Sequence, residues 1–271
     1  MIKPEIATGF RQMILNRIPM SKQEPADQQA ILAMPFRDLL STFYNWQNRR
    51  VSIRPRAVHI SQALRAKNRN EVVVLADKIK KGEDLNPHLS ERVETVFLAT
   101  PKDPGLRYRE DLDLLLNEWA IHHLHISTIL QTNGFVERGR ELLFAAFRHD
   151  DAYLIDLLDH KAFEDENLVQ IATTNWPNAK LFSVTPGMKL LFPDTRPGRK
   201  QLRNAGVNTP VQLSTGIASA SAISRCGQSA LVELKINHFL GQVIKDQERC
   251  SVDDILKAMT PALDFHPFSD R

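Results

Sequence analysis

Residues 141–158 read ELLFAAFRHDDAYLIDLL. Two apolar runs, 141–147 and 152–158, flank the polar tetrapeptide RHDD at 148–151. Each run is too short for an ordinary core helix, and the charged break between them is turn-like. The pattern predicts an antiparallel hairpin whose strands are covered by apolar neighbours. Working outward, WAIHHLHIS at 119–127 is short and apolar, with β-branched Ile121 and Ile126, and reads as a third strand.

Downstream, EDENLVQIATTNWP at 164–177 opens on acids, sets Leu168, Ile171 and Ala172 on one side, and stops at Pro177. That is a helix. KLFSVT (180–185), KLLF (189–192) and PVQLS (210–214) predict further short strands. ALVELKINHFLGQVIKDQ (230–247) and SVDDILKAM (251–259) predict closing helices.

Upstream, Asp27–Met34, Phe36–Trp46 and Asn70–Lys81 space their apolar residues as helices do. AVHISQALRAKN at 57–68 reads as the start of a helix. KKGEDLNPHLSERVETVFL (80–98) contains a helix stop at Gly82, a turn through Asn86–Pro87 and a new helix capped by Ser90. ATPKDPGLRYRED (99–111) is rich in turn formers and is the best internal boundary. YREDLDLLLNEW (108–119) then predicts a short helix leading into the histidine strand. The expected fold is α+β. A mainly helical, basic domain for recognition or dimerisation, residues 1–107, precedes a catalytic domain, residues 108–271. The latter carries a small antiparallel sheet with flanking helices.

The whole chain, 271 residues with 42% hydrophobic and 25% charged, has the balance of a soluble globular protein. No apolar run approaches the ~20 residues that cross a bilayer, and the charged N-terminus is a poor secretory signal. Two cysteines, Cys226 and Cys250, make neither a disulfide scaffold nor a cysteine zinc site, so a cytoplasmic setting is expected.

Net charge is only +3, but its distribution is uneven. No acid occurs between Asp38 and Glu71, while Arg49, Arg50, Arg54, Arg56, Arg65, Lys67 and Arg69 do. Phe43, Tyr44 and Trp46 stand just ahead. A second basic cluster comprises Arg196, Arg199, Lys200 and Arg203. A solvated face balanced by acids elsewhere is one reading. The other is a phosphate-binding surface with aromatics available for stacking on unpaired bases.

The histidine strand carries the chemistry. Alternate strand residues share a face, so His123 and His125 point together while His122 points away with Leu124. Paired imidazoles either ligate a metal or divide acid and base work near neutral pH. Arg138 and Arg140 precede the hairpin, and Asp156, Asp159 and His160 close it. Guanidinium groups beside imidazoles suit phosphoryl transfer on RNA. Histidine takes the 2′-hydroxyl proton or protonates the leaving oxygen, and arginine stabilises the phosphorane. Asp156 or Asp159 could orient a histidine. Trp176 is a base-stacking candidate or a core residue ending its helix. A competing metal reading takes His123, His125, His160 and Asp156 as ligands. A third notes H-I-S at 59–61 and at 125–127, as in two-histidine phosphoesterases, which need both motifs on adjacent strands.

The stretch ERGRELLFAAFRHDDAYLIDLLDHKAF resembles the central part of bacterial toxin ribonucleases, the RelE-like and broader barnase/EndoU/colicin/RelE group, over residues 108–176. The resemblance implies a metal-independent ribonuclease with a helix packed on a four-stranded antiparallel sheet. It makes Arg138 or Arg140 a phosphate stabiliser and His160 an acid–base candidate. The tandem histidines lie outside the RelE pattern and are nearer the EndoU branch. The expected function is RNA cleavage, of toxin or phage-defence type, with His123, His125, Arg138, Arg140 and His160 as catalytic candidates and no cofactor. Arg49, Arg50, Arg54, Arg56 and Trp176 are the nucleic-acid-binding candidates. RNA (or DNA), a neutralising protein and a second copy of the chain are the expected partners, with no membrane. The alternatives are a non-catalytic nucleic-acid-binding protein and a metal-dependent hydrolase with an HxH site.

Overall fold

A computed structural model describes residues 1–51, 55, 57–95, 97, 113–148, 150–160, 167–191, 195, 197–198, 201–202, 207–220 and 229–263. Three helices open the chain: α1 (Pro4–Leu15), α2 (Pro25–Ala33) and α3 (Phe36–Asn48). Each starts at or just after a proline, whose fixed φ suits the first turn and whose missing N–H costs nothing there. Ile6, Phe10 and Ile14 form the buried stripe of α1, at the four-residue spacing of one helix face.

Strand β1 (Ala57–Ile60) follows, then α4 (Gln62–Ala66), α5 (Asn70–Lys80), α6 (Arg92–Thr95) and α7 (Leu114–Trp119). The strand corrects the expected helix start at His59. Ser61 is the true N-cap, its Oγ accepting from the Leu64 N–H at 3.0 Å, so residues before it lie outside the helix. Val58 and Ile60 are β-branched and pair as a strand instead.

The hairpin is as the sequence predicts: β3 (Glu141–Arg148) pairs antiparallel with β4 (Asp151–Asp159), and β2 (Ile121–His125) pairs antiparallel with β3. The sheet order is β1-β4-β3-β2, with β1 parallel to β4. Thus the four-stranded sheet carries one parallel edge, where the resemblance implied antiparallel pairing throughout. Phe144 opposes Asp156 and Ala145 opposes Leu154, so Ile155 is the extra residue of a bulge. H-I-S at 59–61 and at 125–127 begin on the two opposite edges, with β4 and β3 between, so the adjacency needed by a two-histidine phosphoesterase is absent.

Beyond β4 come α8 (Asn167–Asn175), β5 (Ser183–Pro186), β6 (Val211–Leu213) and β7 (Gly216–Ser219), the strands forming a second antiparallel sheet ordered β5-β7-β6. The described part of KLLF, 189–191, is not a strand, while β7 has no counterpart among the expected strands. Helices α9 (Ala230–Asp246) and α10 (Val252–Met259) close the chain. The connector at 99–111 and Cys226 lie outside the described residues; Cys250 is exposed.

Three apolar cores result. The first joins α1 and α3 to α9 and α10, with Phe10 meeting Phe239 edge-on at 5.0 Å. The second lies between α5 and one face of the large sheet, through Leu124, Leu143, Ala145, Phe147, Leu154 and Leu157. The third covers the other face with α7, α8 and the small sheet. The first two draw on residues from both sides of the 107/108 boundary, and β1 crosses it to join β4, so the packing does not divide there. The architecture is α+β, an N-terminal helical region followed by antiparallel sheets flanked by helices. No helix among the described residues is long and apolar enough to cross a membrane.

Candidate active site

The approach to β2 is built by two local devices. Asp113 caps α7, accepting the Leu116 N–H at 2.9 Å, and Ala120 ends that helix in the left-handed region at φ 55°. The strand that follows alternates as its sequence does. Ile121, His123 and His125 oppose Ala146, Phe144 and Leu142 on the third-core face; His122 and Leu124 oppose Ala145 and Leu143 on the other.

His122 packs edge-on against Phe147 at 5.4 Å, and burial pushes its imidazole down to about 4, against the pull of the Asp113 carboxylate. A neutral imidazole in an apolar face is a structural member. Nδ1 of His123 lies 3.0 Å from Oδ2 of Asp113, an ion-pair contact outside hydrogen-bond alignment, and its side chain is 21% exposed. Burial pushes the Asp113 carboxyl up, but the charge of His123, the Leu116 N–H and the charge of His122 outweigh it. The net result is a carboxyl below its ordinary range.

His125 is only 2% exposed. Burial, then the charges of Arg138, His123, His160 and His88, push it down to about 4. Its Nδ1 is buried with no hydrogen-bond partner among the described residues. An unsatisfied buried nitrogen costs about 1–3 kcal/mol, so its retention calls for a reason. The ring of His160, the residue after β4, stands 6.1 Å from that of His125, and its Nδ1 donates to the Arg140 carbonyl at 3.2 Å. On one strand face the Cα atoms of His123 and His125 sit about 6.5–7 Å apart. The three imidazoles therefore form a row, His123–His125–His160, ending at the exposed His160.

Arg138 and Arg140 are both exposed beside this end of the sheet, Arg138 donating to Ser90 Oγ at 3.1 Å. Arg140 also lines an open groove of about 950 Å3, with Lys67, Arg69, Ser127, Thr128 and Asp159 among its walls. The groove carries both signs of charge. Arg69 is held by Glu71 and Glu141, whose hydrogen bonds raise its affinity for the proton further, and Lys67 pairs with Asp156 at 2.8 Å.

The basic tract is correspondingly less positive than its sequence. Arg49 is 9% exposed, Arg50 lies over the Trp46 ring at 5.1 Å, and Lys67 and Arg69 are neutralised by acids remote or near in sequence. Phe43, Tyr44 and Trp46 are core residues, so they offer no stacking faces. A helix that buries one face cannot also present that face to bases. Arg54, Arg56 and the cluster Arg196, Arg199, Lys200 and Arg203 lie outside the described residues. Trp176 is half-buried, edge-on to Tyr153 at 5.2 Å, at the rim of a small recess with Lys180 and Phe182.

The carboxylate beside His123 is Asp113, not Asp156 or Asp159. Asp156 is taken by Lys67 and by the Leu157 N–H. Sequence reasoning also missed His88, which is buried, donates from Nδ1 to the His125 carbonyl at 2.7 Å and accepts from Lys78 Nζ at 3.2 Å. For Asp113 a signal existed: an aspartate one residue before LLLNEW is a capping position. Among the described residues no group of three or more His, Cys, Asp or Glu is placed to hold a metal ion, so His123, His125, His160 and Asp156 do not form a ligand set. No family model, curated protein or solved structure matches the chain.

Proposed function

We propose that the protein is a metal-independent ribonuclease that cleaves RNA at the row His123–His125–His160. The observation that carries this is the pairing of a neutral, buried His125, whose Nδ1 has no hydrogen-bond partner among the described residues, with His160 and two exposed guanidinium groups, beside an open groove. Transesterification needs a base for the 2′-hydroxyl, an acid for the departing 5′-oxygen and positive charge for the phosphorane. His125 supplies the first, His123 the second, and Arg138 with Arg140 the third. The products are a 2′,3′-cyclic phosphate and a 5′-hydroxyl, with atoms and charge balanced by moving one proton in and one out. A toxin or phage-defence role in the cytoplasm, with a neutralising protein and a second copy of the chain as partners, is the setting we propose for this activity.

Cleavage is tested on single-stranded RNA in EDTA, comparing the wild type with His123→Ala and His125→Ala. Cyclic-phosphate ends that vanish in both variants support the reading. A second reading, a nucleic-acid-binding protein without chemistry, is favoured by the burial of His122 against Phe147 and of His125 at 2% exposure. RNA binding that survives both substitutions, with no cut product from the wild type, selects it instead.

A further inference from the structure

We infer that Asp113 is the positioning residue that divides labour between the two histidines of β2, holding His123 as the general acid and leaving His125 as the general base. This rests on the ribonuclease reading. The two imidazoles share a strand, a face and a spacing of about 6.5–7 Å, so the backbone alone does not distinguish them. Their surroundings do. His123 has a carboxylate oxygen 3.0 Å from Nδ1. His125 has no carboxylate at Nδ1 among the described residues; burial, then the charge of Arg138, bears on it instead.

A carboxylate at Nδ1 fixes the proton on that nitrogen, sets the tautomer and stabilises the imidazolium. The working proton of His123 is thus on Nε2. Burial, and after it the charge of Arg138, does the reverse to His125, which stays neutral and able to accept. Environments that separate two like groups in this way assign acid and base roles. In the step itself, Nε2 of His123 delivers its proton to the 5′-oxygen as the P–O bond breaks. His125 takes the 2′-hydroxyl proton as the new P–O bond forms.

Asp113 is itself held. One oxygen faces His123 while the other accepts the Leu116 N–H at 2.9 Å, tying the carboxylate to the first turn of α7. That double use makes a clean test available. Asparagine caps a helix about as well as aspartate, so Asp113→Asn keeps the cap and removes the charge.

The experiment compares wild type with Asp113→Asn in two ways: pH–rate profiles on a dinucleotide, and 15N-resolved NMR of the His123 ring. The expected result is a kcat lower by about 100-fold or more with KM within about twofold. The alkaline limb of the profile moves to lower pH, and the His123 Nδ1–H signal of the wild type is lost in the variant. Asp113→Glu should recover part of the kcat. An unmoved alkaline limb, or a wild-type His123 whose proton sits on Nε2 alone when neutral, overturns the assignment. If the wild-type protein cuts no RNA, the ribonuclease reading fails by itself, and the NMR comparison still decides whether Asp113 governs the His123 tautomer.

Discussion

His88 donates from Nδ1 to the backbone carbonyl of His125 at 2.7 Å, while its Nε2 meets Lys78 Nζ at 3.2 Å. Both ring nitrogens are thus committed, and the tautomer is set by the carbonyl on one side and the ammonium on the other. The turn carrying His88 also accepts the Val136 N–H through Pro87, so one short segment clasps the end of β2 and the loop that returns to β3. Replacing His88 with alanine leaves a cavity and an unpaired carbonyl. The variant should lose about 2–4 kcal/mol of stability by urea denaturation, and a change below about 0.5 kcal/mol would show the clasp to be incidental.

Acid should unfold the protein through its buried histidines. His122 and His125 both stand near 4 when folded against an ordinary 6.5, so between those values the unfolded chain binds more protons. Their stabilising contribution is therefore full above pH 6.5 and falls as the pH drops toward 4, by up to about 3 kcal/mol for each group. His122→Leu, which keeps an apolar side chain beside Phe147, should roughly halve the slope of stability against pH in this window. An unchanged slope would exclude His122 as a contributor.

The same shift shapes catalysis. If His125 is the base, it must be neutral to act, so kcat/KM should fall as the pH drops through about 4. A limb near 6.5, the ordinary imidazole position, would assign the base to another group.

Lys67 and Asp156 form a partly buried pair under the groove, the lysine also reaching the Leu157 carbonyl. Lys67→Met strands a carboxylate that is 9% exposed, and the loss should be about 1–3 kcal/mol. With Asp156→Asn added, the double variant should recover part of that loss; the coupling is expected at about 0.5–3 kcal/mol. Additive losses in thermal denaturation would mean that the pair is not coupled.

Arg138 and Arg140 are the exposed cations best placed for phosphate. Alanine at either should weaken RNA binding and flatten the dependence of log K on log salt by about 0.7 for each phosphate that the variant no longer neutralises. Equal slopes for wild type and both variants would place the nucleic acid elsewhere on the surface.

The hairpin and the alternation of the histidine strand are legible in the sequence because they are local. Apolar runs, a charged turn and a two-residue period need no knowledge of the rest of the chain. What is not legible depends on distant partners. Arg69 and Lys67 read as free positive charge until Glu141 and Asp156, some 70 to 90 residues away, are folded against them. His59 reads as helical because its β4 partner Tyr153 is equally remote, and only the Ser61 cap hints otherwise. Tyr44 looks available because Phe239 and the Ala262 carbonyl, which meet it, come from the far end of the chain, and Trp46 because its partner Phe97 lies beyond β1 and α5.

The edge-on packing of Phe10 on Phe239 has a temporal side. The ribosome emits about 230 residues between these two rings, which at roughly 5–20 residues per second takes tens of seconds. Throughout that interval α1 and α3 have only each other and Phe97 to cover their aromatic residues, and the side that meets Phe239 stays open. Synthesis of this chain thus carries a long sticky phase that ends only with its last two helices, and its yield in a cell should depend on whatever chaperone occupies that gap.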